Sequence, residues 1–208
     1  MTLSILIPTY NYDARILVLA MLQRLTDEGV DGEVVVGDDA STAPMTWLDE
    51  VAALPHVRLL RSDTNLGRAR NLNRMAEAAQ GEWLLITDCD ARMEDDFSLR
   101  AYLAATAQVP VVCGGLRHPQ VNPCPEATLR YKYEREADTR RSAAIRKQHP
   151  YHQLSTFNLL IKREVFLSVR FDDACTEYGY EDTLFGAELE QRGIAIEHID
   201  NQIGRAHV

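Results

Sequence analysis

Two aspartates one residue apart follow a short apolar run. In LLITDCDA, Asp88 and Asp90 come directly after Trp83–Thr87, a run typical of a buried strand. Side chains at alternate positions near a strand end point to the same side, so the two carboxylates can share one ligand. Hard oxygen ligands of this kind favour Mg²⁺ or Mn²⁺, usually together with phosphate oxygens. The alternative is a solvated turn that the two aspartates cap.

Other polar groups follow two further predicted strands. The turn Pro8, Thr9, Tyr10 and Asn11 ends LSILIP, and Asp38, Asp39 and Ser41 end EVVVG. In an open parallel sheet, ligands bind at the carboxyl ends of the strands. We therefore expect these groups to meet Asp88 and Asp90 at one edge. As an alternative, the second group caps a helix.

A second acidic pair, Glu181 and Asp182, lies in GYEDTLF in the second half of the chain. A carboxylate facing a cleft can take a proton from an attacking hydroxyl. Acidic residues also suit the first turn of a helix, and the sequence alone leaves both interpretations open.

The elements that must position these residues alternate in type. Apolar runs predict strands at 3–8, 33–37, 57–60, 83–87, 109–113, 154–161 and 194–199. Helical periodicity predicts helices at 13–25, 44–54, 67–79, 95–107 and about 125–146. A polar turn is predicted at 177–182, followed by a last helix that ends at 191 or 192. Continuously apolar strands separated by helices are typical of an α/β fold, with a mostly parallel central sheet and helices on both faces.

Composition limits the class of protein. The 208 residues are 46% hydrophobic and 25% charged, which fits one globular domain and excludes a mainly disordered chain. The net charge of −9 gives no global attraction to nucleic acid, and none is expected as a partner. The four cysteines form no CxxC pair, so we expect free thiols. With no secretory signal and no membrane-length apolar run, the expected location is the cytoplasm.

Six motifs in a fixed order resemble one known family. SILIPTYN, VVVGDDAS, NLGRARN and LLITDCDA, followed by FNLLIKREVF and GYEDTLFGAELEQRG, are similar to those of a family 2 glycosyltransferase with the GT-A fold. The resemblance covers about residues 3–200 and is nearest to short bacterial enzymes that read HIDN, here 198–201. It implies a single domain over 1–202, with a nucleotide-sugar-binding half at 1–113 and an acceptor-binding half at 114–202.

The resemblance also implies a reaction and a role for each site residue. The reaction is an inverting, metal-dependent transfer of sugar from a nucleoside-diphosphate sugar to a hydroxyl of a glycan or lipid-linked acceptor. Asp182 would be the general base, and Glu181 would orient the acceptor hydroxyl. Asp90 would bind Mn²⁺ or Mg²⁺, and Asp88 would share that site and touch the ribose. The nucleotide would lie against Pro8, Thr9, Tyr10, Asn11, Asp39 (or Asp38), Asn65, Gly67 and Arg68.

Arg68 could instead be an ordinary surface arginine. The polar segment 117–147 holds eight Lys or Arg residues. It predicts either a surface for an anionic acceptor or for the inner face of the plasma membrane, or a solvated helix with internal ion pairs. Similarly, His149, Tyr151 and His152 either flank the acceptor or form a surface loop.

The sequence lacks the motifs that are typical of other enzyme classes with a similar sheet. No GxGxxG or GxxxxGK[ST] follows the first strand, which argues against a dinucleotide oxidoreductase and a P-loop enzyme. A sugar-nucleotide pyrophosphorylase would need a Gly-rich, Arg-containing loop where SILIPTYN stands. The remaining rival is a nucleotide-sugar-binding remnant without turnover.

The last six residues, IGRAHV, are what ATC GGA AGA GCA CAC GTC encodes, which matches a common sequencing-adapter start. We therefore expect 203–208 to be a non-native tail on a truncated chain, His207 to ligate no metal, and His198 to belong to the final strand.

Overall fold

A computed structural model describes residues 1–122, 125–138, 141–175 and 179–205. Its strands are β1 Leu3–Thr9, β2 Gly32–Asp38, β3 Val57–Arg61, β4 Trp83–Thr87, β5 Ala91–Arg92, β6 Val111–Arg117, β7 Asn158–Lys162 and β8 Ile196–Arg205. Its helices are α1 Arg15–Asp27, α2 Thr46–Ala52, α3 Arg68–Ala78, α4 Leu99–Ala105, α5 Thr128–Asp138, α6 Ala143–Arg146, α7 Arg163–Val169 and α8 Glu181–Gln191. A 3₁₀ turn, Pro125–Ala127, precedes α5.

The strands form one sheet in the order β3-β2-β1-β4-β7-β6-β8-β5. The pairs β2–β3, β1–β2, β1–β4 and β6–β8 are parallel. The pairs β4–β7, β6–β7 and β5–β8 are antiparallel. The mostly parallel α/β sheet is therefore confirmed. The antiparallel strand β7 separates the parallel group β3-β2-β1-β4 from the parallel pair β6–β8.

Helices cover both faces of the sheet because its central strands are apolar on both sides. Ile5 and Ile7 pack on one face with α1, α2 and α4, whereas Leu6 packs on the other with α3, α7 and α8. The second face includes three aromatic rings, and Phe171 stacks on Phe185 with 4.8 Å between ring centroids. This two-sided burial explains why β1, β2 and β4 read as continuous apolar runs.

The second half departs most from the predicted elements. The strand predicted at 154–161 begins at Asn158, and α7 follows it where the sequence predicted no helix. The helix predicted at about 125–146 is two helices, α5 and α6, and residues 139 and 140 between them lie outside the described part. The last strand continues to Arg205, well past the predicted end at 199.

The structure describes only the first three residues, 203–205, of the predicted non-native tail 203–208. Ile203 is fully buried and pairs with β6, and Arg205 pairs with Ala91, whereas 206–208 lie outside the described residues. The non-native origin of 203–208 stays a prediction. His198 lies within β8, buried, with its Nδ1 2.9 Å from Arg146 Nη1. Burial lowers the pKa of His198.

A buried polar cluster joins the amino-terminal ends of the central strands. Ser4 donates to Glu33 Oε1 at 2.7 Å, and the Gly81 amide donates to Ser4 Oγ at 2.8 Å. Arg58 lies 3.3 Å from the other oxygen of Glu33. The cluster leaves no space at residue 81, where a Cβ would lie 2.4 Å from the Ser4 nitrogen and 2.6 Å from the Leu3 carbonyl carbon.

We predict that Gly81→Ala lowers the free energy of unfolding by about 3 kcal/mol, at the upper end of the usual cost of overpacking, because the clash is with backbone that cannot rotate away. Urea denaturation followed by circular dichroism measures the loss. Gln80→Ala is the matched control, since its side chain is exposed and the change should stay within about 0.5 kcal/mol. Equal stability of the two variants would contradict the packing described here.

Candidate functional site

A cavity of about 440 Å³ opens at the carboxyl ends of the central strands. This volume falls in the range typical of small-molecule sites. The cavity is lined by Pro8, Thr9, Tyr10, Asp39, Asn65, Gly67, Arg68, Ala69, Asn71, Asp88, Cys89, Asp90, Cys175, Glu181 and Arg205. The structure thus brings together side chains from the ends of β1, β2 and β4 with others from the start of α3, the start of α8 and the end of β8.

Asp39 holds the loop that leads into α3. Its Oδ1 accepts from the Leu66 amide and its Oδ2 from the Gly67 amide, both at 2.9 Å. Gly67 adopts a φ of +82°, which glycine tolerates far better than other residues, and α3 begins at the next residue. The buried carboxylate of Asp39 therefore fixes the backbone around Asn65 and Gly67 against the cavity.

Two predicted nucleotide-site residues lie beside the cavity rather than on its wall. Asn11 Oδ1 accepts from the amides of Thr42 and Ala43, so this side chain ties the loop after β1 to the loop after β2. Asp38 is buried, and its Oδ1 accepts from the Ser41 amide at 3.3 Å. Both residues hold the loops that border the site, and Asp39 is the member of the aspartate pair that faces the cavity.

Arg68 connects the two halves of the site. Its Nε and Nη2 donate to Asp88 Oδ1 at 3.1 and 2.5 Å, and its Nη2 also donates to Thr156 Oγ1 at 2.9 Å. Its Nη1 lies 3.7 Å from Asp182 Oδ1 and 3.9 Å from Glu181 Oε1. Although burial by itself would lower the pKa of Arg68, these three carboxylates raise it, and the guanidinium stays charged. The alternative of a surface arginine is thereby wrong.

Asp182 is anchored by one residue that the sequence analysis did not identify. The Thr156 amide donates to Asp182 Oδ2 at 2.9 Å, and the Thr156 hydroxyl donates to Asp182 Oδ1 at 2.5 Å. Thr156 is completely buried, two residues before the start of β7. Each carboxylate oxygen has two lone-pair directions, so both oxygens of Asp182 can accept a further hydrogen bond, and the carboxylate can take up one proton on either oxygen.

Glu181 takes part in the turn that starts α8. Its Oε2 accepts from the Gly179 amide at 2.8 Å, while the residue also lines the cavity. The Glu181 side chain therefore fits both interpretations of the acidic pair. It belongs to the first turn of a helix, and it faces the cavity. The adjacent residues 176–178, with Glu177 of the predicted turn, lie outside the described part.

Asp90 has a cationic partner of its own. Arg205 Nε donates to Asp90 Oδ2 at 3.1 Å, and the Arg205 guanidinium lies 5.0 Å from the centre of the Phe157 ring. Between the two aspartates, burial, followed by the charges of Asp88 and Asp90, raises the pKa of the Cys89 thiol to about 12. Cys89 therefore stays a neutral thiol at physiological pH.

Asp88 and Asp90 could hold a divalent cation only together with further oxygen ligands, such as the phosphates of a bound substrate. Within the described residues, no group of three or more His, Cys, Asp or Glu side chains could hold a metal ion. Asp88 and Asp90 each have one oxygen engaged by an arginine, which leaves the other oxygen of each available. Mg²⁺ is commonly held by one or two carboxylates together with substrate phosphates, and Asp88 and Asp90 offer two carboxylate oxygens of that kind.

Several basic side chains of the segment 117–147 have polar partners in the described part of the chain. Arg117 pairs with Asp96, Arg130 with Glu134, and Lys147 with Glu197. Arg146 is buried and donates to the carbonyls of Gly114 and Ile199. Of these contacts only Arg130 with Glu134 is an ion pair within the segment, and the surface for an anionic acceptor or membrane stays a prediction. Arg140 lies outside the described residues. Cys89, Cys113 and Cys175 are free thiols, as expected, and Cys124 is also outside the described part.

No helix in the described ranges is long and apolar enough to cross a membrane.

Two curated bacterial proteins are similar to parts of this chain. A succinoglycan biosynthesis protein, ExoO, of Rhizobium meliloti is 35% identical over 112 residues, which are 52% of this chain and 32% of that protein. An uncharacterized glycosyltransferase of Haemophilus influenzae is 36% identical over 89 residues, 42% of this chain and 29% of that protein. The matched part is therefore about a third of the length of these relatives.

Solved structures share the fold over nearly the whole chain. S. aureus TarS superposes with a TM-score of 0.71 at 19% identity, covering 100% of this chain and 37% of that one. TarS 1–349 in complex with UDP-GlcNAc gives 0.67 at 18%, covering 98% and 58%. GalNAc-T7 with UDP, GalNAc and Mn²⁺ gives 0.70 at 14%, covering 98% and 43%.

At these identities the superpositions establish the fold alone, and the fold is GT-A. The family follows from the sequence itself, because the sequence model described as glycosyl transferase family 2 matches residues 4–169. This chain belongs to glycosyl transferase family 2.

Proposed function

We propose that this chain is an inverting glycosyltransferase that moves a sugar from a nucleoside-diphosphate sugar to a hydroxyl of a glycan or lipid-linked acceptor. One observation carries the proposal: Arg68 joins a nucleotide-sized cavity, lined by Asp39 and Asp88, to the acidic pair Glu181 and Asp182. The family match supports the reaction class. The name of the succinoglycan relative supports polysaccharide biosynthesis.

The donor nucleotide binds between the loops after β1 and β2 and the start of α3. Pro8, Thr9 and Tyr10 form one wall, and the Asn65–Gly67 loop held by Asp39 forms another. The Asp88 oxygen that Arg68 leaves available accepts from a ribose hydroxyl. Neighbouring structures that contain UDP or UDP-GlcNAc support a uridine nucleotide as the first donor to test.

Transfer breaks the bond between the anomeric carbon and the diphosphate, and the acceptor oxygen forms the new bond from the opposite face. Asp182 takes the proton that the attacking hydroxyl loses, which gives inversion. Glu181 orients that hydroxyl. The departing diphosphate gains negative charge, and the guanidinium groups of Arg68 and Arg205 lie in the cavity to stabilise it.

Asp90, assisted by Asp88, is the proposed holder of Mn²⁺ or Mg²⁺. When bound, such a cation supplies Lewis-acid stabilisation of the leaving diphosphate. GalNAc-T7, whose structure contains Mn²⁺ with UDP, supports this assignment. We further propose that the protein works in the cytoplasm, with peripheral contact to the inner face of the plasma membrane where a lipid-linked acceptor would be presented.

The competing proposal is a nucleotide-sugar-binding remnant without turnover. Both proposals require donor binding, and only the enzyme requires a base. Donor turnover by this chain, whether hydrolysis or transfer, therefore separates them through its dependence on Asp182.

We predict that one nucleotide sugar in a panel of UDP, GDP and dTDP sugars raises the melting temperature of this chain. At about 100 times its Kd, a ligand adds about 2.7 kcal/mol, which corresponds to a shift of about 5–10 °C for a protein of this size. Thermal-shift measurements with Mn²⁺ and with EDTA identify the nucleobase and the sugar of the donor. Free sugars without the nucleotide serve as the control, and a panel with no shift at all would overturn the proposed donor class.

Asp182→Asn should lower donor turnover by about 10²- to 10⁴-fold with little change in donor affinity, because asparagine keeps the size but cannot take the proton. Glu188→Gln is the matched control, since it removes one carboxylate from the outer surface of the same helix. Rates are measured by release of nucleoside diphosphate, and affinity by calorimetry. Retained turnover in Asp182→Asn together with loss in Glu181→Gln would move the base to Glu181.

Asp90→Ala should abolish whatever gain in donor affinity Mn²⁺ provides while leaving the fold intact, because Asp90 lies in the turn between β4 and β5 and outside the core. Calorimetric titration of UDP with Mn²⁺ and with EDTA measures that gain. Asp96→Ala, which removes an exposed carboxylate paired with Arg117, should leave the gain unchanged. A Mn²⁺-dependent gain that survives in Asp90→Ala would place the cation elsewhere.

A further inference from the structure

Arg205 reaches Asp90 from a position that three separate contacts define. The backbone pairing of β5 with β8 sets Arg205 opposite Ala91, the residue after Asp90. The Arg205 side chain donates to Asp90 Oδ2 at 3.1 Å. Its guanidinium also lies over the ring of Phe157, which is buried. The Arg205 guanidinium is therefore held at the Asp90 carboxylate by backbone pairing, an ion pair and an aromatic contact together.

The pair is sheltered but not sealed from water. The side chains of Arg205 and Asp90 are 22% and 24% exposed. In such surroundings opposite charges attract more strongly than on an open surface, and bulk solvent does not fully screen them. Both residues line the same cavity. A diphosphate or a divalent cation that enters the cavity therefore meets Asp90 already paired.

We propose that Arg205 is a built-in competitor of the divalent cation at Asp90. While the ion pair stands, one oxygen of Asp90 and most of its negative charge are satisfied by the guanidinium. A divalent cation must displace Arg205 or accept a weakened ligand. In exchange, the guanidinium supplies positive charge to a bound diphosphate, so donor binding by this chain depends only weakly on Mn²⁺ or Mg²⁺.

This inference rests on the proposed nucleotide-sugar site. It concerns this chain as its sequence stands, with Arg205 inside the segment 203–208 for which a non-native origin is predicted. It goes beyond the assignment of Asp90 as a cation ligand, because it sets how tightly that cation is held and names the residue responsible.

The test compares UDP binding with Mn²⁺ and with EDTA in four proteins: the unchanged chain, Arg205→Gln, Arg205→Lys and Arg92→Gln. The measured quantity is the ratio of the UDP Kd in EDTA to that in Mn²⁺. Arg205→Gln should raise this ratio at least about tenfold, by weakening UDP binding in EDTA and strengthening Mn²⁺ binding at Asp90. Arg205→Lys keeps the charge and should stay near the unchanged chain.

Arg92→Gln is the matched control, because Arg92 lies on the same strand pair but its side chain pairs with Glu94. It should leave the ratio unchanged. An equal ratio in Arg205→Gln and the unchanged chain would overturn the inference. An equal rise in Arg92→Gln would also overturn it, because the effect would then be one of general charge.

Titration of Mn²⁺ alone, followed by electron paramagnetic resonance, separates this inference from the proposed function. Tighter Mn²⁺ binding in Arg205→Gln than in the unchanged chain supports competition whether or not UDP binds, and equal Mn²⁺ binding counts against it. Absence of UDP binding in all four proteins would instead refute the proposed donor class. If Arg205→Gln failed to fold, Arg205→Met, which keeps contact with Phe157 without the charge, would replace it in both titrations with the same expected rise.

Discussion

The guanidinium of Arg68 is the contact on which the arrangement of the site depends. It binds Asp88 after β4, Thr156 before β7, and lies within 4 Å of both Glu181 and Asp182 on α8. Without that charge, three carboxylates would face one another in a partly enclosed space, where their repulsion would separate α8 from the sheet edge. A single arginine at the first position of α3 thus holds the ends of the central strands and the start of α8 together around the cavity.

The same charges set a condition on the ligand. Asp39, Asp88, Asp90, Glu181 and the adjacent Asp182 contribute five carboxylates, against the guanidinium groups of Arg68 and Arg205. A diphosphate entering this cavity needs added positive charge or rearranged pairs, since anions close together in a low-dielectric site repel strongly. Binding of a nucleotide is therefore coupled to the positive charge in the cavity, whether a divalent cation or an arginine side chain supplies that charge. The pairing of β5 with β8 places Arg205 at Asp90, so the fold itself sets part of that coupling.

Sequence reasoning recovered the part of the site that local pattern encodes. The apolar runs of β1, β2 and β4 are unambiguous because both faces of these strands are covered, and their ends place Asp39, Asp88 and Asp90 at one edge. Thr156 and Arg205 gave no local signal, because their importance comes from partners 26 and 115 positions away in sequence. The extent of β8 was missed for a related reason. Its polar residues, such as Asp200 and Gln202, do not follow an apolar run, and the strand is specified by pairing with β6 and β5.

The reversed direction of β7 explains how groups from both halves reach one edge. In a parallel strand, the carboxyl end points to the site, as in β4, which ends at Thr87. Because β7 runs antiparallel to β4, its first residue, Asn158, pairs with Thr87. Thr156, two residues earlier, therefore reaches the Arg68 guanidinium that also binds Asp88. The loop before β7 can therefore contribute Thr156 to Asp182 and Phe157 to Arg205 at the same time. Inserting one antiparallel strand gives this sheet an amino-terminal strand end at the edge that carries the candidate site, and the proposed base is anchored there.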